Sequence, residues 1–211
     1  MESEIRCFQH CKRDKNILCQ TIPLVCPICR QDTLKTEMRI PPYLIDSPFI
    51  DASFTQCCVV IKPTIGSFLK DFTNQSDLHI GVTNSRGVVY EYDERGVTVG
   101  CQTWSDCLRV TVLDINSENS DFVKKWDQDL DLAAQESLWT AGKYTETSHN
   151  CYDFVMSFLN RLGLQATQRC LQDRRRFCEE MIVPVTARAG KFISLYRDIK
   201  RKGCVVQDVT V

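Results

Sequence analysis

Several things are scarce in this 211-residue sequence. Charge of one sign is scarce: 26 Lys and Arg face 27 Asp and Glu, leaving a net charge of -1. A protein that binds nucleic acid in bulk needs a basic excess, so that class is excluded. Long hydrophobic runs are absent. The longest, such as Cys57 to Ile61, fall far short of the roughly 20 residues a membrane helix needs. The start, Met-Glu-Ser-Glu-Ile-Arg, carries acids and no apolar stretch behind them, so no secretory signal is expected. Histidine is rare, at three. What is plentiful is cysteine, at 13, an odd number that cannot pair completely. Without a secretory signal a reducing compartment is expected, cytoplasmic or nuclear, with the cysteines as thiols or metal ligands. With 43% hydrophobic and 25% charged residues, the chain is expected to be globular.

The chain divides into three parts. Residues 1–35 hold Cys7, Cys11, Cys19, Cys26, Cys29 and His10, with too few large apolar side chains for a separate core. Residues 36–56 carry Pro41, Pro42 and Pro48 and are expected to be an extended connector. Residues 57–211 form the main domain. Its signals are a buried strand at Cys57–Ile61, stopped by Pro63, and an alternating hairpin. In that hairpin Leu78, Ile80 and Val82 return as Val88 to Tyr92 through Asn84-Ser85-Arg86-Gly87. A further strand is expected at Leu108–Leu113. Helical spacing follows at Ser120 to about Leu138, Asn150 to Gly163, about 166–181 and Thr186–Lys202, with a last strand at Cys204–Val206. Strands first and helices later indicate α+β. Seven acids between Asp114 and Glu136 read as a solvated helix face, and Cys57, Cys58, Cys170 and Cys178 as core thiols.

Ser148-His149-Asn150-Cys151-Tyr152-Asp153-Phe154 places chemistry at a helix start. Asn150 suits the N-cap, so Cys151 falls in the first turn, where unpaired N–H groups and the helix dipole favour a thiolate nucleophile. Such a nucleophile needs a base and a group that orients it. His10 lies in the Cys-rich segment, and His149 is expected outside the cap, pointing away. His79 remains, on a strand face shared with Gly81. Pairing about Ser85-Arg86 sets Tyr92 opposite His79, and a one-residue slip sets Glu91 there.

Asp77-Leu78-His79-Ile80-Gly81-Val82, then Gly87 to Tyr92, then Asn150-Cys151-Tyr152-Asp153-Phe154, resembles the circularly permuted papain-like group. Its lecithin-retinol acyltransferase-like and PPPDE-type members carry H-x-G before N-C-x-x-F. The resemblance implies a permuted papain-like domain, an antiparallel sheet packed by helices, with Cys151 as nucleophile and His79 as base. Acyltransferase-like members have a second His twelve residues after the first; here that position is Glu91. The substrate implied is an acyl or peptide carbonyl; the alternative is a non-catalytic protein-interaction module that keeps the fold. Over its whole length the sequence also resembles the makorin-2 opposite strand protein family. The residues that carry this are Phe8-Gln9-His10-Cys11, Cys26-Pro27-Ile28-Cys29, Ser76 to Asn84, His149 to Tyr152 and Lys191 to Arg197.

Cys26-Pro27-Ile28-Cys29 is a C-P-x-C turn in which two thiolates can reach one Zn²⁺. Either Cys7 with Cys11, or His10 with Cys11, completes a tetrahedral set. The resemblance favours His10, Cys11, Cys26 and Cys29 as a structural zinc-knuckle-like site, with Cys7 open as a replacement for His10. Within residues 1–35 six cations against four acids make nucleic acid a poor partner.

Overall fold

The computed structural model describes residues 4–113, 120–166 and 168–209. The chain forms two compact units, one of residues 1–48 with 190–211 and one of residues 49–189. Strands β1 (Ile5–Gln9), β2 (Lys15–Cys19) and β3 (Ile40–Ile45) lie in the first. Strands β4 (Phe49–Ile50), β5 (Val59–Pro63), β6 (Leu78–Thr83), β7 (Val89–Asp93), β8 (Gly96–Val99) and β9 (Cys107–Val110) lie in the second. Helices α1 (Ser120–Gln135), α2 (Cys151–Arg161), α3 (Arg174–Phe177) and α4 (Val183–Lys202) follow, and β10 (Cys204–Asp208) ends the first unit. The fold is α+β with antiparallel sheets.

The first unit is a sheet in the order β10-β2-β1-β3. The chain's last strand pairs with β2, Cys204 opposite Cys19 and Val205 opposite Leu18. Pro41 and Pro42 lie in β3, which is an edge strand, where a residue without an N–H breaks no ladder bond on the open side. Residues 1–35 share a core with residues outside the segment. Phe8, Ile17, Cys19 and Cys26 are buried together, with Ile22, Ile28, Met38 and Cys204 packed on them. Cys204 is distant in sequence, so a count within residues 1–35 misses it.

The second unit holds a six-stranded sheet ordered β4-β9-β5-β6-β7-β8. β5 is central, paired with β6 and β9, and of its residues only Lys62 is not buried. The hairpin of β6 and β7 forms in a register that the sequence reading did not anticipate. Gly81 faces Glu91, Val82 faces Tyr90 and Thr83 faces Val89. Neither Tyr92 nor Glu91 lies opposite His79. The reason is the turn: the Asn84 side chain accepts from both Arg86 N and Val88 N at 2.9 Å, drawing Val88 into the loop and centring the hairpin on Arg86.

α1 ends at Gln135, short of Leu138, and residues 114–119 of the acidic stretch lie outside the described residues. Trp126 and Leu130 are fully buried on α1, and the Trp126 indole donates to Thr83 O at 2.9 Å. Two of the acids are not simply solvated. Asp127 accepts from Ser85 N at 2.8 Å, and Asp131 accepts from the Tyr90 hydroxyl, so this face of α1 holds the hairpin. α2 packs on β6 and β7, and an edge-to-face contact between Trp126 and Phe158, 5.0 Å between centroids, joins α1 to α2.

The expected helix over 166–181 is broken. Single 3-10 turns at Leu164–Ala166 and Arg169–Leu171 precede the four-residue α3, capped by Asp173, and a π-helical turn at Cys178–Ile182 leads into α4. Cys170 and Cys178 are half-buried rather than core thiols, whereas Cys57 and Cys58 are buried. β9 stops at Val110, three residues before the expected strand end, and α4 starts three residues before Thr186. No helix among the described residues is long and apolar enough to cross a membrane.

Candidate active site and candidate metal centre

Asn150 begins α2 with a reciprocal cap. Its Oδ1 accepts from Tyr152 N at 3.0 Å, and Asp153 accepts from Asn150 N at 2.9 Å. Losing such a cap costs about 1 kcal/mol. The cap fixes Cys151 as the first helical residue, in the turn whose N–H groups have no intrahelical partner. Cys151, Phe154, Val155, Phe158 and Leu159 are buried along α2, so the thiol faces inward.

His79 is on β6 and buried, and Cys151 and Glu91 both act on its ring. Its Nε2 is 2.8 Å from Glu91 Oε2. The contact with Glu91 is diagonal. Glu91 lies opposite Gly81, two residues along β6 from His79. A Cβ at Gly81 would sit 3.0 Å from Tyr90 O and Val89 Cγ1 and 3.2 Å from Trp104 Cζ2, so these close neighbours favour glycine there. The Trp104 ring lies beside His79, 5.8 Å between centroids, and Lys62 sits 4.5 Å above the indole.

Burial disfavours the charged imidazole of His79, but hydrogen bonds to Cys151 and Glu91 and the charge of both outweigh it, raising the pKa to about 9. Burial likewise opposes ionisation of Glu91, but His79 and the nearby Lys62 hold its carboxyl below the usual range. Both directions describe one interaction, an imidazolium against a buried carboxylate. The structure therefore brings Cys151, His79 and Glu91 together, with His79 hydrogen-bonded to Glu91. His149 is elsewhere: it stacks on Trp139 at 4.6 Å, its ring edge-on to Tyr92, with Nε2 2.9 Å from Leu138 O. Trp104 and Lys62 carried no sequence signal, because Trp104 joins the site through the loop before β9 and Lys62 through strand pairing opposite His79.

The first unit holds a second constellation. One ligand atom each from His10, Cys11, Cys26 and Cys29 lies within 4.8 Å of the other three, close enough to hold one metal ion. The turn is formed by Arg30 N donating to Cys26 O at 3.0 Å, with Arg30 at φ 65°, and by Ile28 N donating to Cys26 Sγ at 3.4 Å. His10 Nδ1 is 3.3 Å from Cys29 Sγ, and its Nε2 is 2.7 Å from Thr36 Oγ1. Desolvation and the adjoining Cys29 and Cys26 thiols push Cys11 up to about 11, a crowding that a bound cation relieves. Cys7 is not in this group. It lies buried in β1, opposite Tyr43, so the alternative in which it replaces His10 does not match the geometry.

A family model described as DUF4796 C-terminal matches residues 42–199. The chain is 34% identical over 201 residues to the MKRN2 opposite strand protein of Homo sapiens, covering 95% of this chain and 88% of that protein. No solved structure matches the chain. With a family model spanning most of its length and a relative of this similarity end to end, the chain belongs to the DUF4796 C-terminal family, with the MKRN2 opposite strand protein as a relative.

Proposed function

We propose that this protein is a cysteine-dependent hydrolase or acyl-transfer enzyme on a permuted papain-like domain, stabilised by a structural Zn²⁺ in its first unit. The observation that carries the catalytic reading is the chain Cys151–His79–Glu91, with a helix-capped thiol at one end and a buried carboxylate 2.8 Å from the imidazole at the other. A nucleophile, a base and an orienting group in that order constitute the minimum apparatus for thiol catalysis.

In this mechanism the thiol proton resides on His79, as the imidazolium that Glu91 stabilises, and Cys151 Sγ attacks as the thiolate on the carbonyl carbon of an amide, ester or thioester. The oxyanion that forms is held by the Cys151 backbone N–H. As the tetrahedral species collapses, the bond to the leaving group breaks and His79 passes it the proton, leaving an acyl thioester on Cys151. His79 then deprotonates an incoming water, which gives hydrolysis, or an amine or alcohol, which gives acyl transfer. The thiol is released reprotonated. Glu91 keeps its charge throughout and holds the imidazole in place through Nε2.

The donor set of the metal centre, three thiolates and one imidazole, suits Zn²⁺, which binds such ligands tetrahedrally. Zn²⁺ there would tie together residues from both sides of β2, adding stability to a small unit.

One observation favours a non-catalytic interaction module instead: Cys151 is only 5% exposed and His79 only 8%. Iodoacetamide labelling with peptide mapping, on the zinc-loaded full chain at neutral pH, separates the two readings. The catalytic reading requires Cys151 to label faster than the buried Cys57 and Cys58, and to slow at least tenfold in His79→Ala. Equal rates in wild type and His79→Ala would leave the module as the better reading.

A further inference from the structure

We infer that Thr36 is a positioning residue for the metal centre, fixing His10 as a ligand through Nδ1 by a relay that ends on the backbone of the same loop. The inference rests on the zinc reading above.

Counting protons settles the direction of each hydrogen bond. A threonine hydroxyl has one proton to give. The Thr36 hydroxyl donates to Asp32 O, so toward His10 its oxygen acts as acceptor. His10 Nε2, 2.7 Å away, is therefore the donor and carries the ring proton. In a neutral imidazole that leaves the lone pair on Nδ1, the nitrogen 3.3 Å from Cys29 Sγ, one of the four residues whose ligand atoms cluster within 4.8 Å. The tautomer needed for metal binding is thus present before any metal arrives.

The anchor of the relay is itself fixed. Asp32 O also accepts from Thr36 N at 3.1 Å, Asp32 bridges to Val25, and Thr33 N donates to Leu24 O at 3.0 Å. The stretch from Leu24 to Thr36, which contains Cys26 and Cys29, is thereby linked to His10 from a direction other than the metal. Nδ1 ligation also answers the difficulty that His10 and Cys11 are adjacent in sequence. Nδ1 is one bond nearer the main chain than Nε2, so its reach is closer to that of a cysteine sulfur and the two neighbours can converge on one point. A hydrogen-bonded partner of this kind typically adds 10- to 100-fold in metal affinity.

The test uses the full chain stripped of metal, then titrated with Zn²⁺ against a chelating dye and with Co²⁺ followed by its visible absorption. Wild type should take up one equivalent, with the intense absorption of a tetrahedral thiolate site. Thr36→Val, which keeps the shape and loses the hydroxyl, should weaken Zn²⁺ by about 10- to 100-fold. Thr36→Ser should restore it. Long-range imidazole nitrogen NMR on zinc-loaded wild type gives a second readout that needs no variant: His10 should show a protonated Nε2 and a metal-bound Nδ1. If wild type binds neither metal, the zinc reading fails. If wild type binds while Thr36→Val binds equally well, or His10 is bound through Nε2, the relay is wrong and the zinc reading stands.

Discussion

Replacing Glu91 with Gln keeps the size of the side chain and one oxygen for His79 while removing the charge. In the wild type His79 is raised from 6.5 to about 9 against the opposition of burial. That rise corresponds to about 3 kcal/mol in favour of the charged imidazole in the folded state. Cys151 and Glu91 both contribute, so Glu91→Gln should forfeit only part of it, roughly 1–2 kcal/mol, and bring the His79 midpoint down by about one pH unit. With three His in the chain, imidazole NMR resolves the titration without ambiguity. The sign for stability follows from the raised pKa. His79 contributes fully below about pH 6.5 and loses its contribution as pH climbs through about 9. Wild type should therefore exceed Glu91→Gln by about 1–2 kcal/mol in urea unfolding near pH 6.5, and the gap should narrow toward pH 9.5. A His79 that titrates near 6.5 in both proteins, or a stability gap that does not change with pH, would refute the ion-pair reasoning.

Gly81→Ala should cost about 1–3 kcal/mol in urea unfolding, because the new methyl meets Tyr90 O and Val89 Cγ1 at 3.0 Å. It should also slow Cys151 labelling by displacing Trp104 or Glu91, and an unchanged midpoint would contradict the close approach. Asn150→Ala removes the acceptor for Tyr152 N and should cost about 1 kcal/mol. Asn150→Asp, which caps equally well, should restore the midpoint, and failure to do so would place the effect outside the cap. Chelating the metal, or Cys26→Ser, should lower hydrogen-exchange protection in β1 and β2 while leaving β5 and β6 protected; loss across both sheets would contradict a local role for the metal. Cys151→Ala should abolish turnover of acyl thioesters while leaving the thermal midpoint within a few degrees, and turnover that survives it would remove Cys151 as the nucleophile.

What the sequence made legible, and what it hid, follows from the range of the forces involved. The Asn150 cap was readable because capping is decided within four residues, and the α2 stripe of Phe154, Val155, Phe158 and Leu159 because helical spacing is local. Cys26 and Cys29 were readable because C-P-x-C is a local turn, whereas the resemblance favoured His10 with Cys11 and left Cys7 open, a choice that only proximity in space decides. The register that makes Glu91 a neighbour of His79 was not, since it depends on whether Val88 belongs to the strand or to the turn. Two hydrogen bonds accepted by Asn84 Oδ1 decide that, and no alternation pattern encodes them. Composition also could not show what completes the first unit, whose sheet takes β10 from the far end of the chain. The same limit applies to Thr36, a residue type that signals no metal chemistry and that acts only through a hydrogen bond spanning 26 positions. Local sequence thus picked out Cys151, His79 and the Cys/His group, while the side chains that hydrogen-bond the two imidazoles, Glu91 to His79 and Thr36 to His10, are brought to them by strand register and loop closure.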